Sequence, residues 1–412
     1  MRPIIGVTGL VLLIFGAPAA SRAADSDTHV PGRLLVGHRD GVDPGLEDRL
    51  LGLHGAIVRH HLRELGVRVL DVPEASSEAV LASLNRTGLF SYVERDFYAH
   101  TAAVPNDPSY GAQWHLPRIQ SPQAWSVTTG SSSVLVAVID SGVYSAHPDL
   151  ALKLVAGWNF VDGNADTSDL LGHGTAVAGT IAAASNNHIG VTGVSWASRV
   201  MPLVVVDSGD FAAYSNIAAA VQYAADHGVR VINISIGGSN QSVALQNAVD
   251  YAWNKGAVIL AAAMNKSTSA RQYPAACNHV VAVSASDSTD RIASFSDYGN
   301  WIAISAPGTN ILTTMNGGGY GYWSGTSFSS PIVAGVAALC LAVNPALRNT
   351  ALVSLLEQTA DDIGGSGRDD WFGWGRINAY RAVFAAAQSL APEPPGSRYG
   401  KPGAVLPPSH HR

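Results

Sequence analysis

Between residue 105 and about residue 390 the chain alternates short apolar runs, rich in β-branched residues, with longer alanine-rich stretches. The apolar runs fall at 134–139, 200–206, 229–236, 257–263 and 279–283, while 173–184, 214–227, 242–255 and 327–343 have helical periodicity. A strand that is apolar at every position has no face to offer water. Runs of this kind separated by helices predict an α/β fold, a mostly parallel sheet with helices on both faces. Residues 25–104 differ and read as a small α+β unit. Strands are expected at 31–36, 67–72 and 92–98, an amphipathic helix at 43–55 carrying Leu46, Leu50 and Leu53, and a helix at 77–84 with Ser76 or Ser77 as its N-cap. Residues 1–24 begin with Arg2, continue as an apolar run over 4–15 and end in small residues, the layout of a secretory signal peptide. Residues 391–412 are rich in Pro, Gly and Ser and read as a flexible tail.

The 412 residues suffice for two or three folded units, and 47% hydrophobic against 14% charged residues excludes a disordered chain. Lys and Arg total 25 against 31 Asp and Glu, so a net charge of −6 offers no footprint for nucleic acid or an anionic membrane. The run at 4–15 is shorter than the ~20 residues of a spanning helix, and no other stretch reads as long and charge-free enough. The mature protein is therefore expected to be exported, soluble and monomeric. Cys277 and Cys340 are too few for a disulfide-built scaffold and too far apart in sequence for a C-x-x-C pair. Cys340 lies in an apolar helix where core packing accounts for it, and a disulfide between the two stays open.

Three short blocks carry chemistry. The run at 134–139 leads into Asp140-Ser141-Gly142, a carboxylate at a strand end, where an open α/β sheet gathers its reactive groups. Gly172-His173-Gly174-Thr175 opens a helix, with glycines clearing space about the imidazole. Gly325-Thr326-Ser327-Phe328-Ser329-Ser330-Pro331 opens another and places Ser327 where the helix dipole and free N–H groups favour developing negative charge. Pro331 is expected in the first turn, where a missing N–H costs the helix nothing. Singly, these blocks are a turn aspartate, a capping histidine and a serine N-cap. Together they supply an acid, a base and a hydroxyl. A serine hydroxyl is a weak nucleophile until an imidazole takes its proton, and the imidazole needs an acid to hold its tautomer. Gly-Thr-Ser-x-x-Ser-Pro fixes five positions and would arise by chance about once in 10^4 chains of this length.

In their order and surroundings, Asp140, His173 and Ser327 resemble the subtilisin-like serine proteases (subtilases), in particular their thermitase-like secreted bacterial members. The likeness runs from Asn106-Asp107-Pro108 to Gly373-Trp374-Gly375-Arg376-Ile377-Asn378-Ala379, and residues 25–104 resemble the family's inhibitor-type propeptide, a ferredoxin-like unit. The resemblance implies a signal peptide at 1–24, a propeptide at 25–104, a subtilisin-like catalytic domain at 105–390 and a tail at 391–412. It implies a secreted, extracellular serine endopeptidase, made as a zymogen that cuts itself between 98 and 106. Its partners would be polypeptide substrates and its own propeptide, acting as intramolecular chaperone and inhibitor. An oxyanion donor is implied at Asn265, beside the Ser327 N–H, a substrate wall at Ser235-Ile236-Gly237-Gly238, and an aromatic over a further subsite at Tyr214.

One residue departs from the family. Where a glycine is usual before the oxyanion asparagine this chain has Met264, whose thioether is expected to fill the pocket and disfavour large aromatic residues before the scissile bond. No acid lines that pocket, so selection of Lys or Arg there is not expected, and Lys266 reads as a solvated neighbour. Two other classes compete. A binding protein on a dead protease fold has Met264 as its only support, and a serine esterase would carry a Gly-x-Ser-x-Gly elbow that does not surround Ser327.

The resemblance further implies a structural Ca2+ ion, held by the side chains of Asp107, Asp149 and Asn187 and the carbonyls of Ser185, Ile189 and Val191. Finally, six of the 14 histidines fall in 25–104: His29, His38, His54, His60, His61 and His100. Since histidine changes charge near pH ~6.5, acidification is expected to loosen the propeptide.

Overall fold

The computed structural model describes residues 29–97 and 103–390. The expected signal peptide and tail lie outside the described residues, as do 98–102 of the expected cut site. The chain divides into two compact units, Met1–His100 and Thr101–Arg412.

The first unit comprises β1 (His29–His38), α1 (Pro44–Leu53), β2 (Ile57–Leu62), β3 (Val67–Asp71), α2 (Ser77–Thr87) and β4 (Phe90–Phe97). Its antiparallel sheet has the order β2-β3-β1-β4, the ferredoxin-like arrangement. The strand β2 was not expected. All six of its residues are exposed, and Arg59-His60-His61 gives no apolar alternation to read. The stripe expected on α1 is also rotated: the helix buries Leu51 and Glu47, whereas Leu53 is 84% exposed. Glu47 turns inward because Arg68 Nη2 meets it at 3.1 Å and His38 Nδ1 at 2.9 Å. His54 ties α1 to α2, bonding Leu50 O at 2.9 Å and Ser83 Oγ at 2.8 Å, while His60 and His61 are exposed. Ser76 is the N-cap of α2 as expected, but it makes no side-chain capping bond, since the Ser76 and Ser77 hydroxyls donate back to Pro73 O and Glu74 O.

The second unit opens with the short helices α3 (His115–Arg118) and α4 (Ser121–Trp125). It continues as β5 (Leu135–Asp140), β6 (Trp158–Asn159), α5 (His173–Ala182), β7 (Arg199–Val204), α6 (Tyr214–Asp226), β8 (Val231–Ile234), α7 (Val243–Asn254), β9 (Val258–Ala262) and β10 (Val280–Ser286). It closes with β11 (Ile304–Pro307), β12 (Ile311–Thr314), β13 (Tyr320–Trp323), α8 (Thr326–Val343), α9 (Asn349–Gln358) and α10 (Ala379–Gln388). Seven strands form one parallel sheet in the order β11-β10-β9-β8-β5-β7-β6. Alternate residues explain why the runs are apolar throughout. Val136, Val138, Val231 and Leu260 enter the core shared with α5 and α8, and Ala137, Ile139, Ile232 and Ile259 that shared with α6 and α7.

After β5 the chain builds β7 on one side and then crosses to β8 on the other, so the strand order reverses at β5. A crevice opens at the carboxyl ends beside such a switch point. One expectation needs correction here, and one open question closes. The helix α8 is 18 residues long with a mean hydropathy of 1.8, enough by composition to cross a membrane, but it is buried in the core along nearly its whole length. Cys340 sits in the core of α8 and Cys277 in the core on the other sheet face, so the two remain free thiols. Burial pushes both thiols up, that of Cys277 to about 11.

Candidate active site

A cleft of about 710 Å³ lies at these strand ends, lined by Asp140, His173, Ser235–238 and Met264 among others. Asp140 is the last residue of β5 and is fully buried, and His173 is the first residue of α5. The helix approaches the β5 loop so closely that a side-chain carbon on Gly174 would stand 2.2 Å from Gly142 O, which is why glycine follows the histidine. His173 Nδ1 donates to Asp140 Oδ1 at 2.8 Å, fixing the tautomer and leaving Nε2 as the free acceptor. Burial pushes the imidazole down, but the Asp140 charge and hydrogen bond, with Asp169 and Asp210 adding to them, hold its pKa above the ordinary value. Phe328 and Trp323 flank the ring edge-on at 5.7 and 6.3 Å.

The loop that delivers this pair depends on Asp169, to which the sequence drew no attention. Its buried carboxylate accepts from the Leu171, Gly172 and Thr175 N–H groups and the Ser141 and Thr175 hydroxyls, fastening the start of α5 to the residue after Asp140.

Ser327 is the second residue of α8, with Gly325 as N-cap. Pro331 thus falls in the second turn, not the first, and the helix does lose a bond. The absent N–H is the one that would have reached Ser327 O. Ser235 Oγ fills the gap by donating to Ser327 O at 2.9 Å, and Ser327 Oγ donates in return to Ser235 O at 3.0 Å. Asn233 Nδ2 donates to Ser235 Oγ at 2.9 Å, and Ser330 Oγ donates to Asn233 Oδ1 at 2.7 Å, so a buried polar chain joins β8 to α8. A lone asparagine within the apolar run 229–236 was the signal for it.

Asn265 follows β9 with one intervening loop pair, and its Oδ1 accepts from both Thr326 N (2.9 Å) and Thr326 Oγ1 (3.0 Å). Both bonds fall on the oxygen, which leaves the Nδ2 hydrogens free to donate elsewhere. Thr326 is therefore a positioning residue that the motif contained but the sequence reading left without a role. Met264 adopts φ +82°, a left-handed conformation that favours glycine. Its Sδ comes within 3.3 Å of where a side-chain carbon on Gly237 would sit, so it lies across the cleft wall formed by Ser235, Ile236, Gly237 and Gly238. Tyr214, the first residue of α6, lines the same cleft. Lys266 is exposed, donates its N–H to Asp297 Oδ1 and does not line the cleft.

A sequence model described as the Subtilase family matches residues 131–375, which include all of these cleft residues. The chain belongs to the subtilase family. A second model, the fervidolysin N-terminal prodomain, matches residues 16–96, so this subtilase is a serine protease with a prodomain ahead of its protease unit. It is similar to the thermophilic serine proteinase of Bacillus sp. (strain AK1), 45% identical over 307 residues that cover 74% of this chain and 76% of the relative. Thermitase of Thermoactinomyces vulgaris is 41% identical over 281 residues, 68% of this chain and 99% of that one. The halolysin-like extracellular serine protease Nep of Natrialba magadii is 35% identical over 374 residues, 86% and 69% of the two chains. Among solved structures, a protease from Pseudoalteromonas arctica PAMC 21717 superposes with a TM-score of 0.64 at 32% identity, covering 69% of this subtilase and all of that chain.

In the subtilase, three of the residues expected to hold calcium, Asp107, Asp149 and Asn187, lie together. Asp107 and Asp149 are buried, and the loop after α5 wraps both carboxylates. Asp107 accepts from the Asn186 and Asn187 N–H groups and Thr192 Oγ1, and Asp149 accepts from Asn187 Nδ2 at 2.9 Å and Val191 N at 3.1 Å. Burial pushes Asp149 above the usual carboxylate range. Among the described residues no cluster of three or more His, Cys, Asp or Glu forms, so any metal here would depend on Asn187 and backbone carbonyls.

Proposed function

We propose that this subtilase is a secreted, extracellular serine endopeptidase, made as a zymogen whose propeptide spans 25–104 and whose catalytic domain spans 105–390. Asp140, His173 and Ser327 are its catalytic residues and Asn265 its oxyanion donor. The observation that carries this reading is the Asp140–His173 hydrogen bond at the mouth of the cleft whose wall, at Ser235, is bonded to Ser327. Chemistry begins when the Ser327 hydroxyl turns from Ser235 O to His173 Nε2. The proton passes to Nε2 as Oγ attacks the scissile carbonyl, and Asp140 stabilises the imidazolium. Asn265 Nδ2 and the Ser327 N–H hold the oxyanion, a contribution of about 3 kcal/mol per donor. Collapse expels the amine, which takes the Nε2 proton, and water then hydrolyses the acyl-enzyme.

An extended peptide would pair with the backbone of Ser235–238, its P1 residue (the one before the scissile bond) entering the pocket that Met264 crosses. Met264 thus favours small and aliphatic P1 residues over aromatic ones. A structural Ca2+ fits the donor set: Asp107, Asp149 and Asn187 with the carbonyls of Ser185, Ile189 and Val191. Two buried carboxylates share one loop, and among the described residues no ion pair reaches either. Such an ion would offset their charge and hold the loop, with no part in the chemistry.

Expression of the full chain alongside Ser327→Ala tests the assignment. The wild type should cut itself between 98 and 106 while Ser327→Ala stays intact. Equal processing of both chains would end the proposal.

A further inference from the structure

Among the described residues that line the cleft, Asp210 is the one acid with no structural duty. It stands in the turn between β7 and α6, which is held by its other aspartate: Asp207 Oδ1 accepts from the Gly209 and Phe211 N–H groups at 2.9 and 3.0 Å, and Asp207 N donates to Phe211 O. At the tip Asp210 takes φ +65°, a conformation aspartate tolerates, and its N–H closes the turn on Asp207 O. Its carboxylate has no hydrogen-bond or ion-pair partner among the described residues, and it lines the cleft together with Leu171, His173 and Phe211. Among the described residues no Lys or Arg lines that cleft. The carboxylate is near enough to act on the imidazole, since Asp210 is one of the charges that raise His173.

Successive side chains of an extended substrate point to opposite sides. If P1 enters the pocket bounded by Ser235–238 and Met264, the preceding residue, P2, points away from that wall toward His173, Leu171 and Asp210. We infer that Asp210 selects a lysine or arginine at P2, its carboxylate pairing with the cationic head while Leu171 and Phe211 cover the methylene stem. Leu171 is 37% and Phe211 75% exposed, so both offer apolar surface to such a stem. The turn is already fixed by Asp207, so little ordering is needed when substrate binds. This inference rests on the endopeptidase reading and deepens it, because the pocket that receives P1 has no acid of its own.

The test uses the processed enzyme and three peptides identical except for Lys, Ala or Glu at P2, with kcat/KM measured for the wild type, Asp210→Asn and Asp210→Lys. The wild-type Lys:Ala ratio should be about fivefold, the upper range for a solvent-accessible ion pair. It should fall toward unity in Asp210→Asn, and in the wild type when salt rises from about 0.05 to about 0.5 M and the screening length drops from about 14 to about 4 Å. Asp210→Lys should favour Glu over Lys. A Lys:Ala ratio of one in the wild type, or an unchanged ratio in Asp210→Asn, overturns the inference. Failure to cleave any of the three, together with no labelling of Ser327 by a fluorophosphonate, would instead sink the endopeptidase reading.

Discussion

Met264 offers a test in which space and strain can be separated. Its left-handed backbone costs a residue with a Cβ about 1–2 kcal/mol, and its side chain lies against Gly237 in the cleft wall. Met264→Gly removes both the strain and the bulk, whereas Met264→Ala removes the bulk and keeps the strain. Glycine gives back about 0.4–1 kcal/mol through the freedom of the unfolded chain, so Met264→Gly should be more stable than Met264→Ala by about 0.5–1 kcal/mol. That is a Tm difference of roughly 1–2 °C for a unit of this size, best measured in a Ser327→Ala background to prevent self-digestion. Selectivity should respond to bulk alone. Burying a phenylalanine side chain contributes about 1.5–3 kcal/mol, so opening the pocket should raise the Phe:Ala ratio of kcat/KM at P1 by at least about tenfold in both variants. A fluorogenic peptide series varying only P1 reads this directly. If the wild type already prefers Phe or Tyr, and neither variant moves the ratio, Met264 does not occupy the pocket and the reasoning fails.

Thr326→Val removes the hydroxyl that holds Asn265 Oδ1 but keeps the backbone N–H, and kcat should fall roughly three- to tenfold with KM little changed, the loss of one hydrogen bond. Because Asp140 holds the His173 proton to a higher pH than an ordinary imidazole would, the acid limb of kcat/KM should lie above pH 6.5. Asp140→Asn leaves burial opposed only by the lesser charges of Asp169 and Asp210, so the acid limb of the residual activity should move to lower pH than in the wild type, with a plateau about 10^4-fold lower; a limb that stays put refutes the coupling. Excess chelator should lower the Tm of the mature Ser327→Ala protein by about 5–7 °C if calcium is held at about 100 to 1,000 times its dissociation constant, and an unchanged Tm removes the metal from the account.

The parallel sheet was legible because its strands are apolar on both faces, and the four principal helices because alanine-rich periodicity brackets them. The strand β2 was not, since exposed Arg59, His60 and His61 carry no period. Nor were α9 and α10, which bury only a narrow stripe each, Leu352 and Leu356 in one and Ala382, Val383 and Ala386 in the other. At the site, Asp140, His173 and Ser327 could be read from short motifs bound to strand ends and helix starts. The roles of Thr326 and Ser330 could not, because their side-chain partners, Asn265 and Asn233, lie 61 and 97 residues away, and Asp169 gave no sign because a carboxylate gathering the N–H groups of the next few residues looks in sequence like any turn aspartate. Pro331 shows the same limit: its place in the helix depends on where Gly325 lets the first turn begin.

Ser235 borders the pocket and, in the same breath, replaces the rung that Pro331 denies to α8. Selectivity and reactivity therefore share a fastener, and changing the wall at that residue would also unseat the nucleophile's helix end. Room to retune what the enzyme cuts lies with its neighbours, Ile236 and Met264, whose side chains no hydrogen bond ties to Ser327.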